Sequence, residues 1–547
     1  MSPHASPATI RRAEWAVAIT ATVMLIGLHF TFLLSAGALW RDEVNSVNIA
    51  SLPSLSDMWG HLRYDSFPVL WLATLRAWIR VGPGTADFGI RIMGLVVGLG
   101  TVVTLWRNAR VFGHSIPLVS LALLGFNSAV VSYGDSIRGY GLGMLTGLLT
   151  FGLVWQAVEE PKPKRMVLAL SAALVSVHCL YQSTVLVFAA CVAGAAVAVR
   201  RESWRSAALI AAIGAVCALS LLPYAPTIAG VRGQDFTRRV DMDSQWIWQS
   251  VKEAFTSTGG AIHWVWIGLA ALAAATTVVF LRRADDGLTA RERDATLYCG
   301  VAMLAGIPAY VLFLKVVSYA SQPWYSIALI ALVAACLDTP LALLARTSAT
   351  RFARLLVVVA VALLVLPAIW MTGRTRKTNV DLIASKVGEL AVNGDLVIVN
   401  PWYVGITFAR YYRGRADWIT IPPMSSHAFH SYDLLKEKMM TERAIAPVLG
   451  GMRKALQEGH RVFWIGDLFL PKQGEVPTDP PPAPRAPWGW ADGPYYHRWG
   501  LLAGHLIQSH AKAAEQVDVP IRQTVSAYED VGLFVFSGWW SGDGEAQ

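Results

Sequence analysis

The run Trp40-Arg41-Asp42-Glu43-Val44-Asn45 sets two adjacent carboxylates and a guanidinium directly after a long apolar segment. A carboxylate at the mouth of a cavity can take a proton from a hydroxyl, and a fixed cation can stabilise a departing phosphate. Asn48, Asp57, His61, Arg63, Tyr64 and Asp65 follow in the same polar stretch. Alone, an Asp-Glu pair at the end of an apolar helix reads as its solvated rim. Arg41 beside the pair, the length of the polar stretch and the amphipathic segment after it favour chemistry.

A second group lies in Tyr133-Gly134-Asp135-Ser136-Ile137-Arg138-Gly139-Tyr140. Asp135 and Arg138 stand three apart, which would put them on one helical face as a capping ion pair or as part of a site. Ionisable groups near a membrane are costly and default to function. His178 and Tyr181 fall where two apolar runs meet, and a lone His there is more often a packing residue than a ligand. Lys315, Tyr319, Gln322, Trp324 and Tyr325 close a later run; Lys315 either snorkels or holds an anionic headgroup. Asp241-x-Asp243 reads as a solvated loop.

These residues supply carboxylates (Asp42, Glu43, Asp135), cations (Arg41, Arg63, Arg138, Lys315) and a lining of His61, Tyr64, Tyr140, His178, Tyr181, Trp324 and Tyr325. Aromatic faces at a bilayer edge suit sugars and isoprenoid tails. The set fits a lipid-phosphate sugar donor meeting an acceptor at a membrane surface. Asp42, Glu43, Asp135 and His178 can offer ligands to a divalent metal, but their spacing carries no ligand signature. No cofactor is therefore expected with certainty, and a metal stays open.

The elements that must position these groups are membrane helices. The 547-residue chain is 54% hydrophobic and 15% charged, against roughly 25% charged in soluble domains. Eleven apolar runs read as crossings: 15–36, 89–107, 115–132, 137–157, 165–180, 181–199, 206–225, 261–281, 296–316, 323–345 and 352–371. The first is too long for a signal peptide and reads as a retained helix. Residues 66–81, with Arg76 and Arg80, read as a helix lying in the interface.

With that assignment Arg11/Arg12, Arg107/Arg110, Lys162/Lys164/Arg165, Arg200/Arg201/Arg205, the Arg282–Arg293 cluster and Arg346/Arg351/Arg354 all fall on the cytoplasmic side. The net charge of +9 thus reflects orientation, and nucleic acid is not an expected partner. The same parity puts the stretches holding Asp42, Asp135, His178 and Lys315 outside, together with residues 372–547.

Residues 1–371 are therefore expected as the membrane domain, including a long first outer loop at 37–88. Residues 372–547 are expected as an extracytoplasmic α/β domain, with strands in 394–400, 460–468 and 532–540, a turn at Asn400-Pro401 and a Pro-rich surface loop at 477–490. All five cysteines lie in or beside the apolar runs and none in this domain, so it is expected to have no disulfide.

Trp40–Ala50, Arg63–Gly98 and Tyr133–Leu142 resemble the polytopic GT-C glycosyltransferases that use polyprenyl-phosphate sugars, among them bacterial aminoarabinose transferases and protein O-mannosyltransferases. The resemblance covers residues 15–200 best and fades after them. It implies a GT-C-like fold in a bacterial inner membrane, a polyprenyl-phosphate-linked donor, a lipid, glycan or protein acceptor, and contact with membrane lipids. It also implies Asp42 as catalytic base with Glu43 beside it, Asp135 as the second-loop acid, and Arg138 and Tyr140 lining the donor cavity. Several relatives carry Lys or His just before the Pro of the interfacial helix, whereas this chain has Ser66-Phe67-Pro68. Contact with the donor phosphate then falls to Arg63, Arg138 or Lys315. A transporter or flippase of a lipid-linked sugar is the alternative reading, though no repeated halves support it. A binding module on a membrane anchor is the third.

Overall fold

The computed structural model describes residues 7–82, 84, 86–234, 243–256, 260–282, 287–318, 322–484 and 491–541, in two compact units. The first unit comprises residues 1–35, 67–225 and 240–374; the second comprises 36–66, 226–239 and 375–547. Asp241 and Tyr319 lie outside the described residues.

The first unit is helical, and the chain is a multi-pass membrane protein. Among the described residues nine helices are long and apolar enough to cross a membrane, from Ala8–Ser35 through Asp87–Val111 and Gly139–Glu159 to Ser348–Arg374. The two other runs expected as crossings take different forms. Pro163–Cys179 is a helix of only 17 residues. The run at 115–132 is split: helix Leu118–Ser120 passes into a π turn at Leu121–Gly125, and a new helix begins at Ser128–Gly134. The break has a sequence cause. The Asn127 side chain accepts the Ala129 and Val130 N–H groups at 3.0 and 3.2 Å, capping a fresh helix instead of continuing the old one.

Within residues 66–81 the expected non-crossing helix is present. The helix Val69–Val81 has 13 residues, so it is about 20 Å long and too short to span. It buries Trp71, Leu72, Leu75 and Arg76 inside the first unit, and its Trp78 indole N–H donates to the Gly89 carbonyl at 3.0 Å.

The second unit is built on a five-stranded sheet of order β2-β1-β3-β5-β4. Its strands are β1 (Leu396–Asn400), β2 (Asp417–Thr420), β3 (Arg461–Gly466), β4 (Ala511–Gln516) and β5 (Leu533–Trp539). β1 runs parallel to β2 and β3, while β5 is antiparallel to β3 and β4. The central parallel strands are apolar on consecutive residues because both faces are covered. One face packs Val397, Val399, Phe463 and Ile465 against Val380, Ile383, Val404 and Phe408 of the helices Val380–Leu390 and Val404–Tyr411.

The expected single boundary near residue 371 is replaced by a different division. Residues 36–66, expected with the membrane domain as part of the 37–88 loop, fold into the sheet-bearing unit. Backbone bonds fasten them there: Lys377 N–H donates to the Ala36 carbonyl at 2.9 Å, and Leu39 N–H to the Tyr411 hydroxyl at 2.8 Å. Residues 36–66 are thus a structural part of the sheet-bearing unit, while 67–88 fall in the first unit.

Candidate functional site

In the second unit, Asp42 and Glu43 begin the helix Arg41–Ala50. Adjacent positions on a helix point about 100° apart, and the two carboxylates separate accordingly. Glu43 is fully buried, and its Oε2 accepts the Trp40 N–H at 3.3 Å, satisfying a free donor of the first turn. Asp42 keeps 24% of its side chain exposed and stands with Oδ1 3.2 Å from Nε2 of His430. Of the two acids, Asp42 is the accessible one.

The helix holds His430 in place through the face that carries Asp42. Asn45 Oδ1 accepts the His430 N–H at 3.0 Å, while Asn45 Nδ2 donates to the Tyr64 carbonyl at 2.9 Å. Three residues on, Asn48 Nδ2 donates to the Ala428 carbonyl at 2.8 Å. Asp42, Asn45 and Asn48 therefore form one polar stripe, with two amides gripping the backbone of 428–430 while the acid meets its imidazole.

Around this pair, the Tyr64 ring stacks on Phe429 at 5.8 Å and 8°, and His61 packs on Phe429 at 5.0 Å. Arg63 Nη2 donates to the Tyr64 hydroxyl at 2.8 Å, and that hydroxyl donates to Asp433 Oδ2 at 2.9 Å. Burial and the Asp433 carboxylate push the Tyr64 phenol above its usual range. His61, Arg63 and Tyr64 thus gather in one aromatic and polar patch on Phe429, the residue before His430.

Arg41 anchors the helix start from behind. Its Nη1 donates to the Tyr528 carbonyl at 2.6 Å, and its guanidinium lies 4.5 Å over the Tyr403 ring. Glu529, fully buried, stands 3.8 Å from Arg41 Nη1 and accepts the Thr407 hydroxyl at 3.0 Å. Burial pushes the Glu529 carboxyl up to about 7, against the opposing pull of Arg41.

In the first unit, Asp135 is 2% exposed, and its Oδ2 lies 2.6 Å from His29 Nδ1 on the first helix. Residues 135–138 form a bend between the helices Ser128–Gly134 and Gly139–Glu159. The expected shared helical face of Asp135 and Arg138 is therefore absent, because the chain turns between them. Glycines make room for the Asp135–His29 pair: a Cβ on Gly98 would stand 2.5 Å from both Asp135 Oδ1 and His29 Nδ1. The cavity lined by this pair holds about 10 Å³, room for one water at most.

Arg138 lies 4.6 Å over the face of Phe67, and Tyr140 meets the same ring edge-on at 4.8 Å. The ring of Phe67, just before Pro68, thus lies under a cation supplied by another segment of the same unit. Tyr325 packs on Tyr140 at 6.0 Å, and Trp324 on Tyr133 at 4.2 Å. His178 and Tyr181 gather elsewhere, on Tyr224. The His178 ring nitrogens contact the Tyr224 hydroxyl at 3.0 Å and the Ser220 hydroxyl at 3.1 Å, the arrangement of a packing residue. Lys315 is exposed in the last turn of Ala290–Val317.

Among the described residues no three His, Cys, Asp or Glu side chains come together as metal ligands. Sequence reasoning missed His430, His29 and Glu529. His427-Ala428-Phe429-His430 was the available signal for the first, two imidazoles and an aromatic in an irregular segment.

No family model matches the chain, and no curated protein matches it. Among solved structures it is similar to the arabinosyltransferase EmbB from Mycobacterium smegmatis, at 15% identity and a TM-score of 0.36. The match covers 62% of this chain and spans 31% of that one.

Proposed function

We propose that the protein is a membrane glycosyltransferase that moves a sugar from a polyprenyl-phosphate donor to a lipid, glycan or protein acceptor, with inversion at the anomeric carbon. The acceptor oxygen attacks the anomeric carbon as the bond from that carbon to the phosphate oxygen breaks. The polyprenyl phosphate leaves with the bonding pair, and Asp42 takes the acceptor's hydroxyl proton. His430 orients the Asp42 carboxylate, and Arg63 of the same unit is a cation available to the leaving phosphate. On the charge distribution of the loops, the reaction belongs to the extracytoplasmic face of a bacterial inner membrane.

The observation that carries this reading is the pairing of a part-exposed Asp42 with His430 on a helix whose other acid is used up in its cap. The test is the fate of label from a radioactive lipid-linked sugar given to the purified protein in proteoliposomes. Covalent attachment of the sugar to an acceptor supports transfer. Label that changes leaflet while still on its lipid means a flippase and overturns the proposal.

A further inference from the structure

Ser-Gln-Trp-Ile-Trp-Gln-Ser-Val-Lys-Glu-Ala-Phe-Thr, residues 244–256 of the first unit, forms a helix of 13 residues. At about 20 Å it is too short to cross a membrane. It starts on a cap, with Asp243 Oδ1 accepting the Trp246 N–H at 2.6 Å. At about 100° per residue, its buried Ile247, Ala254 and Phe255 fall on one stripe. Gln245, Gln249 and Glu253 fall on the opposite, exposed arc, and Trp246 and Trp248 stand at the margins between the two.

The buried stripe packs on the beginning of the membrane-length helix Ile262–Arg282. Phe255 meets the Trp266 ring edge-on at 4.9 Å, and Thr256 Oγ1 lies 3.1 Å from His263 Nδ1. Trp264, in the first turn of that span, is 60% exposed. Trp248, 46% exposed, stands beside it with ring centroids 6.5 Å apart.

One exposed indole on a membrane helix needs no explanation beyond contact with lipid tails. Two side by side, one on a short amphipathic helix and one where a span begins, mark a depth. An indole joins an apolar ring to an N–H donor and settles at the boundary between headgroups and hydrocarbon. We infer that the helix Ser244–Thr256 lies on the bilayer surface as an interfacial helix, with Trp248 and Trp264 seated among the lipid headgroups. Its only charged residues are Lys252 and Glu253, which cancel, so the attraction is aromatic and needs no anionic lipid.

The same helix lies against the turn Pro323–Ser326, which carries Trp324 and Tyr325. Seating Trp248 at headgroup depth therefore sets the height of those two rings as well. Interfacial seating does not depend on the transferase reading.

The test uses the full chain in phosphatidylcholine nanodiscs, with a nitroxide on Trp248→Cys, Trp264→Cys or Gln249→Cys. The unsubstituted chain is the labelling control for the five buried cysteines. Power-saturation electron paramagnetic resonance compares relaxation by oxygen, which concentrates in hydrocarbon, with relaxation by a neutral nickel chelate, which stays in water. Oxygen is expected to dominate at 248 and 264 and the chelate at 249, in the same order when phosphatidylglycerol is added. Chelate dominance at 248 would mean that the helix stands in water, and it overturns the inference. So does a label at 248 that neither reagent reaches, because a second copy or another protein then covers the face. Oxygen dominance at 248 only with phosphatidylglycerol would make the attraction electrostatic and overturn it too.

Discussion

The two units each contain an aspartate–histidine pair, and the contrast between them separates structure from chemistry. Asp135 and His29 lie 2.6 Å apart with side chains 2% and 6% exposed, beside a cavity too small for a substrate. Asp42 and His430 lie 3.2 Å apart with side chains 24% and 12% exposed, the imidazole packed beside Trp402 and Tyr432. On the proposed reading the same two residue types serve different ends because access differs. A closed polar pair among helices gives them a unique register, since breaking it leaves a buried group unsatisfied. An open pair at the first turn of a helix leaves an oxygen for a substrate to approach.

This contrast can be broken or sharpened by mutation. The largest effect is expected at Asp42: Asn there should lower transfer by about 10²–10⁴-fold with no change in thermal unfolding, the range for loss of a general base. Asp135→Ala should instead act on stability, costing about 3–5 kcal/mol by stranding His29, and its loss of transfer should follow the loss of folded protein in detergent.

Glu529→Gln probes the support behind Arg41. The buried carboxyl is raised from its ordinary 4.5 to about 7, so the folded state holds a proton that the unfolded chain has released. Its contribution to stability is complete below about pH 4.5 and is lost as pH rises through about 7, on the order of 3 kcal/mol. The variant should show a flatter fall in melting temperature between pH 5 and pH 8 than the wild type. The smallest effect is expected for His430→Gln, about tenfold in transfer, with a shifted pH–rate profile that a purely structural residue would not produce.

How much of this was legible in the sequence depended on burial and pattern. The apolar runs announced the membrane helices, except where Asn127 traded helix continuation for a cap and at Pro163–Cys179, a helix of only 17 residues. In the sheet, β1, β3 and β5 were readable because they carry contiguous apolar residues. The edge strands β2 and β4 were not: β4, Ala-Lys-Ala-Ala-Glu-Gln, is exposed at five of its six positions and has no apolar face to display. Asp42 was singled out by its neighbours and by the resemblance. Its partner was not, because His430 lies 388 positions away and only the fold of the 36–66 segment into the terminal domain joins them. Asp135 and Arg138 were expected on one helical face because a bend and a helix look alike over four residues.

The central claim is that Asp42 is the base and Glu43 is part of the helix cap. The direct measurement is single-turnover transfer of labelled sugar by purified Asp42→Asn and Glu43→Gln, each with its melting temperature recorded. The account predicts that Asp42→Asn keeps the wild-type melting temperature and loses transfer, whereas Glu43→Gln melts earlier and transfers at near the wild-type rate per folded molecule. Wild-type turnover by Asp42→Asn, or a loss confined to Glu43→Gln, would contradict it.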